Sequence, residues 1–109
     1  MPQRLPKPIA AYFAAEKTND FDALSKTFSR DGEVRDESHI FAGRGAIAQW
    51  MKDAKAKYKH RAEVVGAILL DGVWDVSAKT SGDFPGSPIV LHHRFKLRGD
   101  EIAALVISV

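Results

Sequence analysis

Residues 61–80, RAEVVGAILLDGVWDVSAKT, decide the fold class. Positions 61–70 are rich in Val, Ile and Leu and end at Asp71-Gly72, a dipeptide that tolerates the left-handed backbone of a tight hairpin. Beyond it the pattern alternates, with Trp74, Val76, Ala78 and Thr80 on one side and Asp75, Ser77 and Lys79 on the other. That period of two belongs to a strand with one covered face. Working outward, Phe84-Pro85-Gly86-Ser87 predicts a type II turn, with Pro and Gly at its centre. Residues 89–97 alternate again: Ile89, Leu91, His93, Phe95 and Leu97 share one face. Gly99-Asp100 turns the chain into a last strand at 102–109.

Upstream the period changes. Pro8 suits a first helical turn, where its missing N–H is not needed. Ile9, Tyr12 and Phe13, with the alanines at 10, 11, 14 and 15, form an apolar helical surface. Thr18-Asn19-Asp20 stops that helix and caps a short second one, on which Phe21, Leu24 and Phe28 share a face. Arg30-Asp31-Gly32 closes it, 33–37 is a short strand or extended segment, and a turn-rich stretch follows. A third helix runs from about Gly45 to Lys59, with Ile47, Trp50, Met51, Ala54 and Tyr58 as its buried stripe. Helices first and antiparallel strands last define an α+β fold.

The 109 residues make one domain, 1–109, since a second core needs more chain. A net charge of +2 is too small for a nucleic-acid footprint. No run of apolar residues is long enough to span a membrane. Met1 to Pro8 carries Arg4 and Lys7 without an apolar core, so no secretory signal is expected and the expected compartment is the cytoplasm. The absence of Cys excludes disulfides and thiolate chemistry. The segments 63–70 and 102–109 are apolar on both faces. The outer sheet face therefore needs cover, and a homodimer through that face is the simplest cover.

Candidate chemistry is sparse. Asp36 shares its strand side with Val34, and a carboxylate on an apolar side has a raised pKa suited to a general base; pairing with a neighbour or a place at the solvated strand end is the alternative. His93 lies between Leu91 and Phe95 on an apolar face, either as a hydrogen-bonded core histidine or as a group in a pocket. His39, three residues past Asp36, is within reach of a cleft mouth. His60 lies in a turn. The four histidines, 39, 60, 92 and 93, have no metal-ligand spacing, so no metal and no cofactor is expected. The basic run Lys52 to Arg61 reads as the solvated end of a helix, where the macrodipole favours cations. Gly43-Arg44-Gly45 is not a phosphate loop.

The element order and the stretch YFAAEKTNDFDALSKTFSRDGEVRDESHIFAGRGAIAQW at 12–50 resemble the nuclear transport factor 2-like superfamily. That superfamily includes SnoaL-like cyclases and ketosteroid isomerases. The carrying features are the Asn-Asp helix break, an aromatic near the end of helix two, and Gly-x-x-Ala-Ile opening helix three. The resemblance implies a cone: three helices packed on a curved, mostly antiparallel sheet around an apolar pocket. Phe13, Phe28, Trp50, Trp74 and Phe95 are its candidate lining, with His39 at its mouth. Against ketosteroid isomerase, Val-Arg-Asp-Glu at 34–37 places Asp36 where that enzyme carries its base. Tyr12 falls where it carries an oxyanion-binding tyrosine. The second oxyanion donor falls on Leu91 and is missing, with His93 two residues on as a substitute. The resemblance thus implies a small apolar ligand and isomerase- or cyclase-type proton transfer beside a carbonyl. The alternatives are a non-catalytic binder and a dimeric assembly module, since this fold hosts all three.

Overall fold

The computed structural model describes residues 5–109. The signal-peptide reading therefore falls in part on residues 1–4, outside the described residues. Helix α1 (Lys7–Lys17) begins with Pro8 in its first turn and buries Ile9, Tyr12, Ala15 and Glu16 on one side. Asn19, at φ 57, breaks it. Asp20 then caps α2 (Phe21–Lys26), its Oδ1 accepting the Ala23 N–H at 3.1 Å. Helix α3 (Arg44–Tyr58) lies in the chain after the strands β1 (Phe28–Asp36) and β2 (His39–Ala42). Four strands follow: β3 (Arg61–Leu70), β4 (Val73–Ser81), β5 (Ile89–Arg98) and β6 (Glu101–Ser108).

The six strands form one mixed sheet in the order β2-β1-β6-β5-β4-β3, in which only β1 and β6 run parallel. Register irregularities between Val64 and Gly66, between Lys96 and Leu97, and across residues 28–33 interrupt the ladder. Such bulges bend and twist the strands that carry them, which is how a sheet curls around helices. The hairpin expected at Asp71-Gly72 is present, with φ of 52 and 79. Gly86, at φ 89, occupies the third position expected of the Pro-Gly turn.

Two expectations need correction. Phe28 is the first residue of β1, not the last of a helical stripe. The Thr27 hydroxyl donates to the Leu24 carbonyl at 2.7 Å where α2 ends, two residues before Phe28. Arg30-Asp31-Gly32 accordingly lies inside β1 as an outward bulge. Gly32 is required there, because a Cβ would meet Phe28 Cβ and the Ser29 carbonyl at 3.0 Å. The stretch read as turn-rich contains a further strand, β2, joined to β1 through Glu37 and Ser38. Both residues are left-handed, at φ 51 and 66, as a two-residue hairpin loop demands.

Alternate residues of the sheet separate its faces. Val34, Val76, Phe95, Ile102 and Leu105 are fully buried against Ile9, Leu24, Ile47 and Met51 of the helices. The opposite face carries Ile68, Leu70, Val90 and Val106, all exposed. Burial of the inner set stabilises each large side chain by about 1.5–3 kcal/mol, which fixes the register.

Candidate functional site

Between the helices and the inner face lies a cavity of about 630 Å³. Its walls come from Tyr12, Phe13 and Glu16 of α1, from Trp50, Met51, Ala54 and Tyr58 of α3, and from Leu91 and His93 of β5. Asp36 at the end of β1, His60 before β3, Thr80 of β4, and Phe84 and Pro85 of the β4–β5 loop also line it. Gly82 lets that loop approach: a Cβ there would stand 2.6 Å from the Tyr58 carbonyl. Phe84 then meets the Tyr58 ring edge-on at 6.0 Å.

The structure brings Asp36, Tyr12 and His93 to this one cavity, with Phe13 and Trp50. It does not bring Phe28, Trp74 or Phe95 to it. Phe28 and Phe95 are fully buried in the core, and Trp74 packs against that core. The reason is register. His93 and Ile107, paired across β5 and β6, line the cavity, and Trp74–Phe95–Leu105 lies one row further along, where side chains fill the cone. His39 also lies outside the main cavity. It lines a smaller hollow with Asp36, Phe41 and Trp50, its Nδ1 2.9 Å from the Glu37 carbonyl.

Asp36 faces inward, as the alternation with Val34 requires. Burial pushes its carboxyl up, and the indole N–H of Trp50, donating to Oδ2 at 3.1 Å, opposes that rise. Tyr12 is 1% exposed. Burial, then the charges of Glu16 and Asp36, push its hydroxyl well above the usual range, so it remains a donor at neutral pH. Burial depresses His93 to about 4, so its ring is neutral. His93 Nδ1 stands 3.4 Å from the Leu91 carbonyl. A carbonyl only accepts, so in the tautomer that makes this long contact the hydrogen is on Nδ1 and Nε2 is an acceptor. The ring therefore presents an acceptor where the sequence reading expects a second oxyanion donor.

A second polar group in the wall escapes the sequence reading. Glu16 is 3% exposed and Lys55 of α3 stands 2.9 Å from its Oε2, an ion pair off the hydrogen-bonding angle. Lys55 instead donates to the His60 carbonyl at 2.8 Å, and His60 Nε2 lies 3.6 Å from the same Glu16 oxygen. Burial raises the Glu16 carboxyl while Lys55 pulls it down. Burial, and then the Lys55 charge, take His60 down to about 4. Lys55 is thus buried, not part of a solvated basic face. The available signal was the spacing of Ile9, Tyr12 and Glu16, which puts the carboxylate on the apolar side of α1. Among the described residues no three His, Cys, Asp or Glu side chains gather as a metal ion would need.

A curled α+β sheet closing on three helices, with an apolar hollow between them, defines the cone class. The chain belongs to the nuclear transport factor 2-like superfamily, among its SnoaL-like members. A protein of Sinorhizobium meliloti, named provisionally as a polyketide cyclase, is 39% identical. It superposes with a TM-score of 0.91 over 95% of each chain. A hypothetical protein with a ketosteroid isomerase-like fold from Catenulispora acidiphila, solved with trimethylamine, is 21% identical (TM-score 0.84, 97% of this chain and 87% of that one). A nuclear transport factor 2-like protein of unknown function from Cytophaga hutchinsonii is 16% identical (TM-score 0.74, 99% and 93%). No family model matches the sequence, and no curated protein does. Among the described residues no helix is long and apolar enough to cross a membrane.

Proposed function

We propose that the cavity binds a small, largely apolar carbonyl compound and that Asp36 moves a proton on it. One observation carries this reading: a carboxylate raised by burial and a protonated phenol line the same apolar hollow. Asp36 takes a proton from the carbon beside the carbonyl. The C–H electron pair becomes a C=C bond, and the carbonyl π pair moves to oxygen. Tyr12 donates a hydrogen bond to that oxyanion. Return of the proton to the same carbon gives exchange; in a β,γ-unsaturated ligand the enolate is a dienolate, and return of the proton to its γ carbon, as the oxygen pair re-forms the carbonyl, completes an isomerisation. His93 takes no part as a donor; its Nε2 accepts from a polar group of the ligand. The cyclase name of the Sinorhizobium meliloti relative supports carbonyl chemistry of this kind.

The test is exchange of α-protons of simple aryl ketones in deuterated water, followed by NMR. The wild-type protein should accelerate exchange. Asp36→Asn should abolish the acceleration, and Tyr12→Phe should lower it on the order of a hundredfold, as loss of one oxyanion donor does elsewhere. Acceleration unchanged in Asp36→Asn refutes the assignment. Ketone binding without exchange favours the non-catalytic reading.

The same proposal places the protein in the cytoplasm as a homodimer joined through the outer sheet face. Ile68 and Leu70, 64% and 66% exposed, stand on that face with Val90 and Val106, and the Asp75–Arg94 pair lies between Ile68 and Val106; exposed apolar side chains of this kind are what a partner covers. Light scattering should give twice the chain mass, and Val106→Lys should halve it.

A further inference from the structure

The cavity has two polar ends, and the proposed proton transfer uses only one of them. Asp36 is held by Trp50, and Glu16 by Lys55, five residues later on the same helix. At the α-helical rise Trp50 and Lys55 are about 7.5 Å apart along the axis of α3. Met51 and Ala54 from α3 and Phe13 from α1 give the wall its apolar part, with Tyr12 and His93 as polar groups on it. Glu16 lines the cavity, and its buried Oε2 has the Lys55 ammonium at 2.9 Å, off the hydrogen-bonding angle, as its one near partner besides His60. A carboxylate oxygen has lone pairs enough to accept from a further donor beside that ammonium.

We infer that the Glu16–Lys55–His60 cluster is an anchoring subsite that takes a neutral hydroxyl on the end of the ligand remote from its carbonyl. This deepens the proposed function and rests on it. The charge balance selects the chemistry. The Lys55 ammonium at 2.9 Å already neutralises Glu16, so a ligand cation there would meet a second positive charge in a buried site. A ligand anion would meet the carboxylate. A hydroxyl donates to the carboxylate without adding charge, and its own lone pairs face the ammonium. His60, neutral at physiological pH, adds no charge to the cluster. The ligand so described is an apolar body with a ketone at one end and an alcohol or phenol at the other.

The test measures binding of benzylacetone, its para-hydroxy, para-methoxy and para-aminomethyl derivatives to the wild-type protein by calorimetry or fluorescence. The para-hydroxy compound should bind about tenfold more tightly than benzylacetone, the effect expected of one hydrogen bond to a charged group. The methoxy compound, which cannot donate, should show no such gain, and the aminomethyl cation should bind more weakly than the phenol. In the double variant Glu16→Leu/Lys55→Met the preference for the phenol should fall to near unity. Removing both charges together avoids stranding either one, so the variant folds. The comparison of ligands on the wild-type protein needs no variant. Equal affinities for benzylacetone and its hydroxy derivative overturn the anchor and leave the carbonyl reading standing. So does a preference that survives in the double variant, or tighter binding of the cation. Failure of all four ketones to bind overturns both.

Discussion

Asp36 and Glu16 are two carboxylates in one cavity, and their surroundings differ in kind. Each is raised by burial. Asp36 is answered by a neutral indole N–H at 3.1 Å, which leaves the group free to gain and lose a proton. Glu16 is answered by an ammonium at 2.9 Å, itself only 9% exposed, which ties the group into a pair. The difference teaches how one apolar hollow holds two acids with separate uses. A neutral partner keeps a carboxylate reactive, and a charged partner makes it structural unless a ligand joins the pair.

The largest expected effect comes from breaking the pair. Lys55→Met strands a buried carboxylate and should cost about 3–5 kcal/mol in urea unfolding, whereas Glu16→Leu/Lys55→Met should return to within about 1 kcal/mol of the parent. Acid comes next. His60 and His93 have folded-state values depressed from 6.5 to about 4. Their contribution is full above 6.5 and is lost as pH falls towards 4, because the unfolded chain takes up protons that the folded chain refuses. By about pH 5 the loss should be roughly 2 kcal/mol per ring. Asp36 and Glu16 act in the opposite sense, since their raised values penalise the folded state as pH climbs past 3.8 and 4.5. Thermal melts at several pH values should therefore show a net loss on acidification, and His93→Gln should flatten it. At the Asp36 end, Trp50→Phe removes one donor to a charged group and should cost about 2 kcal/mol. It should also raise the Asp36 carboxyl further, visible by NMR titration. The smallest effect serves as the solvated reference: Asp22→Asn breaks the exposed pair with Lys26 and should change stability by no more than about 0.5 kcal/mol.

Much of this was legible beforehand, for reasons tied to period. Strands β4 and β5 alternate strictly, so the inward position of His93 followed from counting. Asp36 faces inward because Val34 does. The Asp71-Gly72 turn announces itself through a local backbone need. What stayed hidden depends on contacts distant in sequence. Phe28 sits at a spacing that suits a helix equally well, and only its pairing with Ile102 decides for a strand. Whether an inward aromatic lines the cavity or fills the core depends on where the cone closes, so Phe95 and Trp74 were placed one row too near. Lys55 looks like its solvated neighbours Lys52 and Lys57 until Glu16, on another helix, is set against it. The acceptor role of His93 rests on which atom its ring meets, here the Leu91 carbonyl.

The position of β6 in the middle of the sheet has a consequence for synthesis. Strand β1, which carries Asp36, is held on one side by its own hairpin partner and on the other by residues 101–108 alone. While the ribosome is still adding residues before 101, helices and the β3–β4 hairpin can form, but the two halves of the sheet have nothing to join them. A nascent chain of that length encloses no hollow, so a small molecule meets no receptor until translation has delivered the central strand. Closure across some seventy residues of intervening chain also predicts slow, late assembly of the cavity, after the local elements have formed.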